Sequence, residues 1–184
     1  MAQQTTLSEI GEFGLISQLT KPFENSQSST VKGVGDDCAV LEFSKTEYLL
    51  VTTDLLLEGI HFDLTYTPLK HLGYKAVAVN VSDIYAMNGT PTQITVSIGV
   101  SAKFTVEALE QLYEGIRLAC THYGVDMVGG DTSSSVTGLV ISVTATGKVA
   151  KKSICYRNTA KANDLICVSG NLGAAYMGLQ ILQR

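Results

Sequence analysis

The sequence lacks the features that mark several large classes of protein. Its four cysteines are widely spaced and form no C-x-x-C pair, which argues against a zinc site and against a disulfide framework. Lysine and arginine form no cluster beyond the pair Lys151-Lys152, and the formal net charge is −4. Because nucleic-acid binders usually carry a basic face, we expect no nucleic acid among the partners of this chain.

Signals for export and for membrane insertion are missing as well. The first residues contain no basic stretch followed by an apolar one, as a secretory signal would. No apolar run approaches the length needed to span a membrane. We therefore expect a cytoplasmic protein without membrane contact. The P-loop pattern G-x-x-x-x-G-K-S/T is also absent, so a bound nucleotide would be held mainly through metal ions.

The chain does contain alternating strand and helix patterns. Apolar spacing predicts helices over 7–19, 69–87 and from Thr105 onward. Strand patterns occupy 38–43, 47–54, 93–100, 125–131 and 138–149. A further strand over 165–170 and a helix running to Arg184 follow. This order indicates an α+β fold with helices on one face of a mixed sheet.

Four aspartates stand at the ends of these elements or face inward from them: Asp37, Asp54, Asp83 and Asp131. Threonine hydroxyls adjoin them, at Thr52, Thr53 and Thr132. Hard oxygen ligands of this kind suit Mg²⁺ or Ca²⁺ rather than zinc, and protein-bound Mg²⁺ usually brings phosphates with it. The pattern therefore predicts a magnesium–nucleotide site.

Each motif also has an ordinary structural interpretation. The "GDD" and "GGD" strings occur in plain turns, and "TTD" at a strand end is commonly a solvated cap. Taken alone, His61 is typical of a loop histidine and Arg157 of a surface arginine. Only the shared placement of these residues favours a binding site.

Five segments together resemble a known family. They read "GVGDDCAVL", "VTTDLLLEGIHF", "LGYKAVAVNVSDIYAM", "VGGDTS" and "R-x-x-A-K-x-x-D". In this order and spacing they are similar to the thiamine-monophosphate kinases, which belong to the superfamily of aminoimidazole ribonucleotide synthetase. The resemblance runs from about Gly11 to the end of the chain.

The resemblance implies a kinase that transfers the γ-phosphoryl of ATP directly to thiamine monophosphate, with Mg²⁺, giving thiamine diphosphate. It implies no covalent catalytic residue; the residues bind and position. Matching positions place the metal ligands at Asp37, Thr52, Thr53, Asp54, Asp83 and Asp131. They place ATP contacts at Gly130, Asp131, Arg157 and Tyr113, and a thiamine-substrate contact at His61.

The same resemblance implies a mixed four-stranded sheet that pairs with a second copy into a barrel-like homodimer. Residues 1–150 would form an ATP- and magnesium-binding, dimerising domain, and 151–184 the beginning of a truncated C-terminal domain. We therefore expect the isolated chain to be inactive. Two alternatives stay open: another ATP-using enzyme of the superfamily, such as aminoimidazole ribonucleotide synthetase, and a non-catalytic dimerisation module.

The chain departs from the family pattern at turn positions. Asn88-Gly89 follows the helix where Gly-Ala is usual, and Thr159 and Asn163 replace glycines. Asparagine tolerates a positive φ better than most residues, so these changes leave the assignment intact.

Overall fold

A computed structural model describes residues 6–183 of the chain. Its strands are β1 Thr30–Lys32, β2 Ala39–Glu42, β3 Glu47–Leu57, β4 Thr90–Val100, β5 Asp126–Ser134 and β6 Val140–Ala150. Its helices are α1 Leu7–Thr20, α2 Leu69–Ala86, α3 Val106–Tyr123 and α4 Ala174–Leu182. Residues 1–5, which belong to the predicted first domain, lie outside the described residues. Arg184, the predicted end of the last helix, also lies outside them. None of the helices described is both long and apolar enough to cross a membrane.

All six strands belong to one mixed sheet in the order β1-β2-β3-β6-β4-β5. β6 runs antiparallel to both of its neighbours, β3 and β4, so β3 and β4 share a direction. β5 pairs in parallel with β4 at one edge. Helix α2 connects β3 to β4 and packs against the sheet, and α3 connects β4 to β5 and packs against α2. The predicted α+β class and mixed sheet are confirmed.

The expected count of four strands is wrong, since the sheet has six. The sequence pattern itself predicts five of them and does not predict β1. Only three residues long, β1 has too few positions to show an alternating pattern. Its strand conformation is stabilised by pairing with β2 and not by burial of its own side chains.

The strand expected over 165–170 is also wrong, because this segment has no strand structure. Leu165 and Ile166 are more than nine-tenths exposed. An apolar stretch becomes a strand only when a neighbouring strand takes up its backbone hydrogen bonds, and none pairs with it within residues 6–183. The helix expected after it is present as α4.

The core lies between the sheet and the two central helices. Buried side chains of β6 and β4 contact the apolar stripe of α2. The buried residues of α3 pack against α2. The contact between α2 and α3 is close: a Cβ added to Gly73 would lie 2.0 Å from Leu112 O, and one added to Gly115 would lie 1.9 Å from Lys70 O. Glycine is therefore required at both positions.

Candidate functional site

Side-chain hydrogen bonds join the second half of β3 to α2. Thr52, buried on β3, donates its hydroxyl to Asp83 Oδ2 at 2.7 Å. The amide oxygen of Asn80, also buried, accepts from the Asp54 backbone N–H at 3.0 Å. β2 pairs with β3 only as far as Val51, so Asn80 takes the place that a strand carbonyl would fill. These two hydrogen bonds fix the positions of the Asp83 carboxylate and of the Asp54 backbone.

The adjacent aspartates of the turn before β2 have different surroundings. The carboxylate of Asp36 is fully shielded from solvent and lies 2.5 Å from Lys32 Nζ. The carboxylate of Asp37 is about a third exposed and lies 2.6 Å from a terminal nitrogen of Arg157. Only Asp37 therefore faces the space next to α2. The double aspartate combines a structural carboxylate with an accessible one.

The pKa values reflect this division of charge. Burial raises the pKa of Asp83, and the negative charges of Asp54 and Asp37 raise it further, against the opposing effects of Thr52 and Arg157. Burial also acts to raise the pKa of Asp36, but its hydrogen bonds, above all that from Lys32, outweigh it and hold the pKa below the ordinary value. The carboxylates around Asp83 thus repel one another.

This donor set fits Mg²⁺. Within residues 6–183 neither Asp54 nor Asp83 takes part in a salt bridge, although each adds to the negative charge around the other. The nearby Cys38 thiol is buried, and burial together with the surrounding aspartates raises its pKa to about 12, so it offers no thiolate. Across the described residues, no three His, Cys, Asp or Glu side chains are close enough to enclose an ion. Mg²⁺ keeps several waters and takes one or two carboxylates plus phosphate oxygens, and Asp54 and Asp83 offer two carboxylates.

Two of the six predicted metal ligands lie on the other face of the sheet. Side chains of Thr52 and Asp54 point toward α2, whereas Thr53 alternates to the opposite face, where its hydroxyl accepts from Thr144 Oγ1 at 3.1 Å. Asp131 lies exposed on the edge strand β5. We call the face away from α2 the open face.

The register shows how far Asp131 lies from the others. Asp54 pairs with Val143, Val143 with Val96, and Val96 with Gly130, so these residues share one row, in which Asp54, Val143 and Val96 face α2. Asp131 belongs to the next row, on the open face. Three strand spacings separate it from β3, roughly 14 Å. The structure brings Asp37, Thr52, Asp54 and Asp83 together and leaves Thr53 and Asp131 apart from them.

The predicted nucleotide contacts are distributed in the same way. Gly130 lies against β4 so closely that an added Cβ would be 1.8 Å from Val96 O. Arg157 lies beside Asp37, as described above. Tyr113 is half-buried on α3 and packs against the core, and burial raises its pKa. Of these three residues, the structure places only Arg157 with the aspartates.

His61 lies in the loop between β3 and α2 and lines a cavity of about 710 Å³. Its Nδ1 accepts from the Leu57 backbone N–H at 3.0 Å, which leaves the proton of a neutral imidazole on Nε2. Lys75, Tyr66 and Tyr176 line the same cavity. A volume of this size suits a small organic ligand.

The sequence gives little indication of two residues that shape this site. The spacing of Asn80 and Asp83 places them on one helix face, but an amide that replaces a strand carbonyl has no sequence signature. Lys32 precedes Asp36 by four residues, but outside a helix that spacing predicts no contact.

The two turn asparagines behave as expected: Asn88 has φ 60° and Asn163 has φ 77°.

Comparison with known proteins identifies relatives over most of the chain. The family described as AIR synthase related protein, N-terminal domain, matches residues 35–149. Thiamine-monophosphate kinase of Bacillus subtilis is 39% identical over 171 residues, which are 93% of this chain and 52% of that protein. The enzyme of the same name from Aquifex aeolicus is 38% identical over 176 residues, covering 96% of this chain and 54% of that protein.

The fold has a solved counterpart as well. A structure described as AaThiL complexed with AMPPCP and TMP aligns with a TM-score of 0.86 at 35% identity, covering 99% of this chain and 55% of that one. The chain spans about half the length of the curated relatives it matches.

Proposed function

Because the chain belongs to the AIR synthase related protein family through its N-terminal domain, we propose that it is the magnesium- and nucleotide-binding part of a thiamine-monophosphate kinase. The reaction is the ATP-dependent phosphorylation of thiamine monophosphate to thiamine diphosphate. Curated relatives that match nearly the whole chain carry this name, which supports the proposal. The structural relative with AMPPCP, an ATP analogue, and TMP supports the same two substrates.

The observation that carries the proposal is that, among residues 6–183, the carboxylates of Asp54 and Asp83 lie near each other and form no salt bridge. Asp54 and Asp83 are held in place by Asn80 and Thr52, and each adds to the negative charge around the other. These two carboxylates would hold Mg²⁺, and Asp37 would add negative charge beside them. Bound there, Mg²⁺ would offset the charge of the nucleotide phosphates and align them for in-line transfer.

The cationic and heterocyclic side chains have separate tasks in this proposal. Arg157 offers a planar guanidinium that binds phosphate oxygens in a bidentate manner. His61 donates from Nε2 toward the thiamine substrate in the cavity it lines. His61 lies beyond the end of β3, and Arg157 lies against the turn before β2. In this proposal the acceptor binds near His61 and the nucleotide phosphates near Arg157.

The open face of the sheet suggests how the remaining predicted ligands take part. We propose that it pairs with the open face of a second chain, giving an isologous barrel-like homodimer. Thr53 and Asp131 then lie in the interface region rather than beside Asp83. Residues 1–150 would form this dimerising domain, and 151–184 the start of a second domain. The proposed protein works in the cytoplasm.

The test is substrate profiling of the full-length protein. With ATP, Mg²⁺ and thiamine monophosphate, we expect stoichiometric formation of thiamine diphosphate and ADP, abolished by a chelator. Omitting thiamine monophosphate gives the background of ATP hydrolysis. ATP use with the aminoimidazole ribonucleotide synthetase substrate, and none with thiamine monophosphate, would refute the proposal.

A further inference from the structure

A partly buried ion pair, Lys32–Asp36, lies beside the candidate site, and its shielded carboxylate ties the segment after β6 to the turn before β2. Asp36 Oδ2 accepts from Lys32 Nζ at 2.5 Å. Asp36 Oδ1 accepts from the backbone N–H of Asp37 at 3.1 Å and from that of Arg157 at 3.4 Å. One shielded carboxylate thus receives donors from β1, from its own turn and from the segment after β6.

The guanidinium of Arg157 lies between two carboxylates and favours one of them. A terminal nitrogen is 2.6 Å from Asp37 Oδ1, whereas Nε is 3.8 Å from Asp36 Oδ1. Lys32 occupies the other side of Asp36, and its Nζ also lies 4.6 Å from the ring centroid of Tyr156. Lys32 therefore contacts both the buried carboxylate and the residue next to Arg157.

A buried carboxylate without a cationic partner is strongly unfavourable. If Lys32 did not neutralise Asp36, the nearest remaining cation would be the guanidinium of Arg157, already within 3.8 Å. It would move toward Asp36 and away from Asp37. Whether Arg157 pairs with Asp37 or with Asp36 thus depends on Lys32.

We infer that Lys32 and Asp36 are positioning residues: by pairing with Asp36, Lys32 keeps the Arg157 guanidinium directed at Asp37 and at the phosphates of ATP. The part about ATP rests on the function proposed above. The part about the partner of Arg157 stands on the contacts of the chain alone.

The first experiment measures MgATP affinity of the full-length protein by calorimetry. Lys32→Met is expected to weaken binding roughly tenfold, which corresponds to about 1.4 kcal/mol. Lys32→Arg, which keeps the charge, should recover most of the affinity. Lys70→Met is the matched control, since Lys70 pairs with Glu114 on the exposed surface of α2 and α3 and should bind as wild type. Wild-type affinity in Lys32→Met would overturn the inference.

Two double variants separate positioning from a general loss of stability. If Lys32 acts through Arg157, then adding Lys32→Met to a protein that already carries Arg157→Met should not weaken MgATP binding any further. Removing the buried charge should restore binding, so Lys32→Met with Asp36→Asn is expected to regain near-wild-type affinity. This second variant also folds without a buried unpaired charge. Additive losses, or no recovery, would overturn the inference.

A readout without nucleotide distinguishes failure of this inference from failure of the proposed function. The Nε–Hε resonance of Arg157 is assigned by its loss in Arg157→Met. It should shift in Lys32→Met and stay in place in Lys70→Met. An unchanged resonance refutes the positioning role. Wild-type protein that binds no MgATP refutes the proposed function, while a shifted resonance would still support the role of Lys32 toward Arg157.

Discussion

At the scale of single residues, Asp54 is held by its backbone and presents its carboxylate to the proposed metal. Asn80 binds the backbone N–H of Asp54, so Asp54→Asn should keep the strand intact. Its charge is lost, and we expect kcat of the full-length protein in the proposed kinase reaction to fall by about 10²–10³. Asp126→Asn, on the exposed edge strand, is the control. Near-wild-type turnover of folded Asp54→Asn at limiting Mg²⁺ would show that Asp54 is no ligand.

Asp83 gives a prediction with a definite pH dependence. Its pKa is raised in the folded protein, so folding favours the protonated form, and stability from this group is lost as the pH rises above the ordinary carboxyl value of 3.8. Without Mg²⁺, Asp83→Asn should therefore increase the free energy of unfolding at pH 7, and this gain should shrink toward pH 4. Urea titrations at both pH values measure it. A gain independent of pH would contradict the electrostatic explanation.

At the scale of the elements, the contact between α2 and α3 depends on glycine. In Gly73→Ala the new methyl would lie 2.0 Å from Leu112 O, so the helices must separate. We expect a loss of about 1–3 kcal/mol in the free energy of unfolding. Gly178→Ala, in α4 where an added Cβ meets nothing within 4 Å, is the helical control and should not destabilise. Equal stability of both variants would show that the helices can move apart without cost.

The elements also show what the sequence could and could not predict. Helices α2 and α3 were predictable because an apolar stripe and a capping Thr105 are local features. β1 was not, because three residues gain strand structure only from pairing with β2. The candidate site likewise has features that the sequence predicts and features that depend on strand pairing. The aspartates stand out in the sequence, but the opposite faces of Thr52 and Thr53 follow from the register of β3.

At the scale of the whole molecule, the open face should mediate dimerisation. Thr144 lies near its centre, on β6 opposite Thr53. Light scattering at micromolar concentration should give twice the mass of one chain. Thr144→Arg should give the mass of one chain with an unchanged far-ultraviolet spectrum, because it puts a charge into the interface. Thr121→Arg, on the exposed side of α3, is the matched control. A monomer at all accessible wild-type concentrations would refute this arrangement.

The whole molecule also limits what these 184 residues can do alone. The chain covers about half the length of its curated relatives. We expect no conversion of thiamine monophosphate by the isolated chain with ATP and Mg²⁺. A full-length protein assayed in parallel is the control. Robust turnover by the isolated chain, free of contaminating kinase, would place the complete machinery within residues 1–184.

The strand order has a consequence for biosynthesis. β6 is the last strand of the sheet to leave the ribosome, yet it fills the gap between β3 and β4. Until residue 150 has emerged, the nascent chain holds two long strands with unpaired edges, which can attract other strands. Cotranslational folding can begin with α2 and α3, but the sheet closes only at the end. Until β6 is complete, the nascent chain is therefore more exposed to pairing with other chains than the finished sheet is.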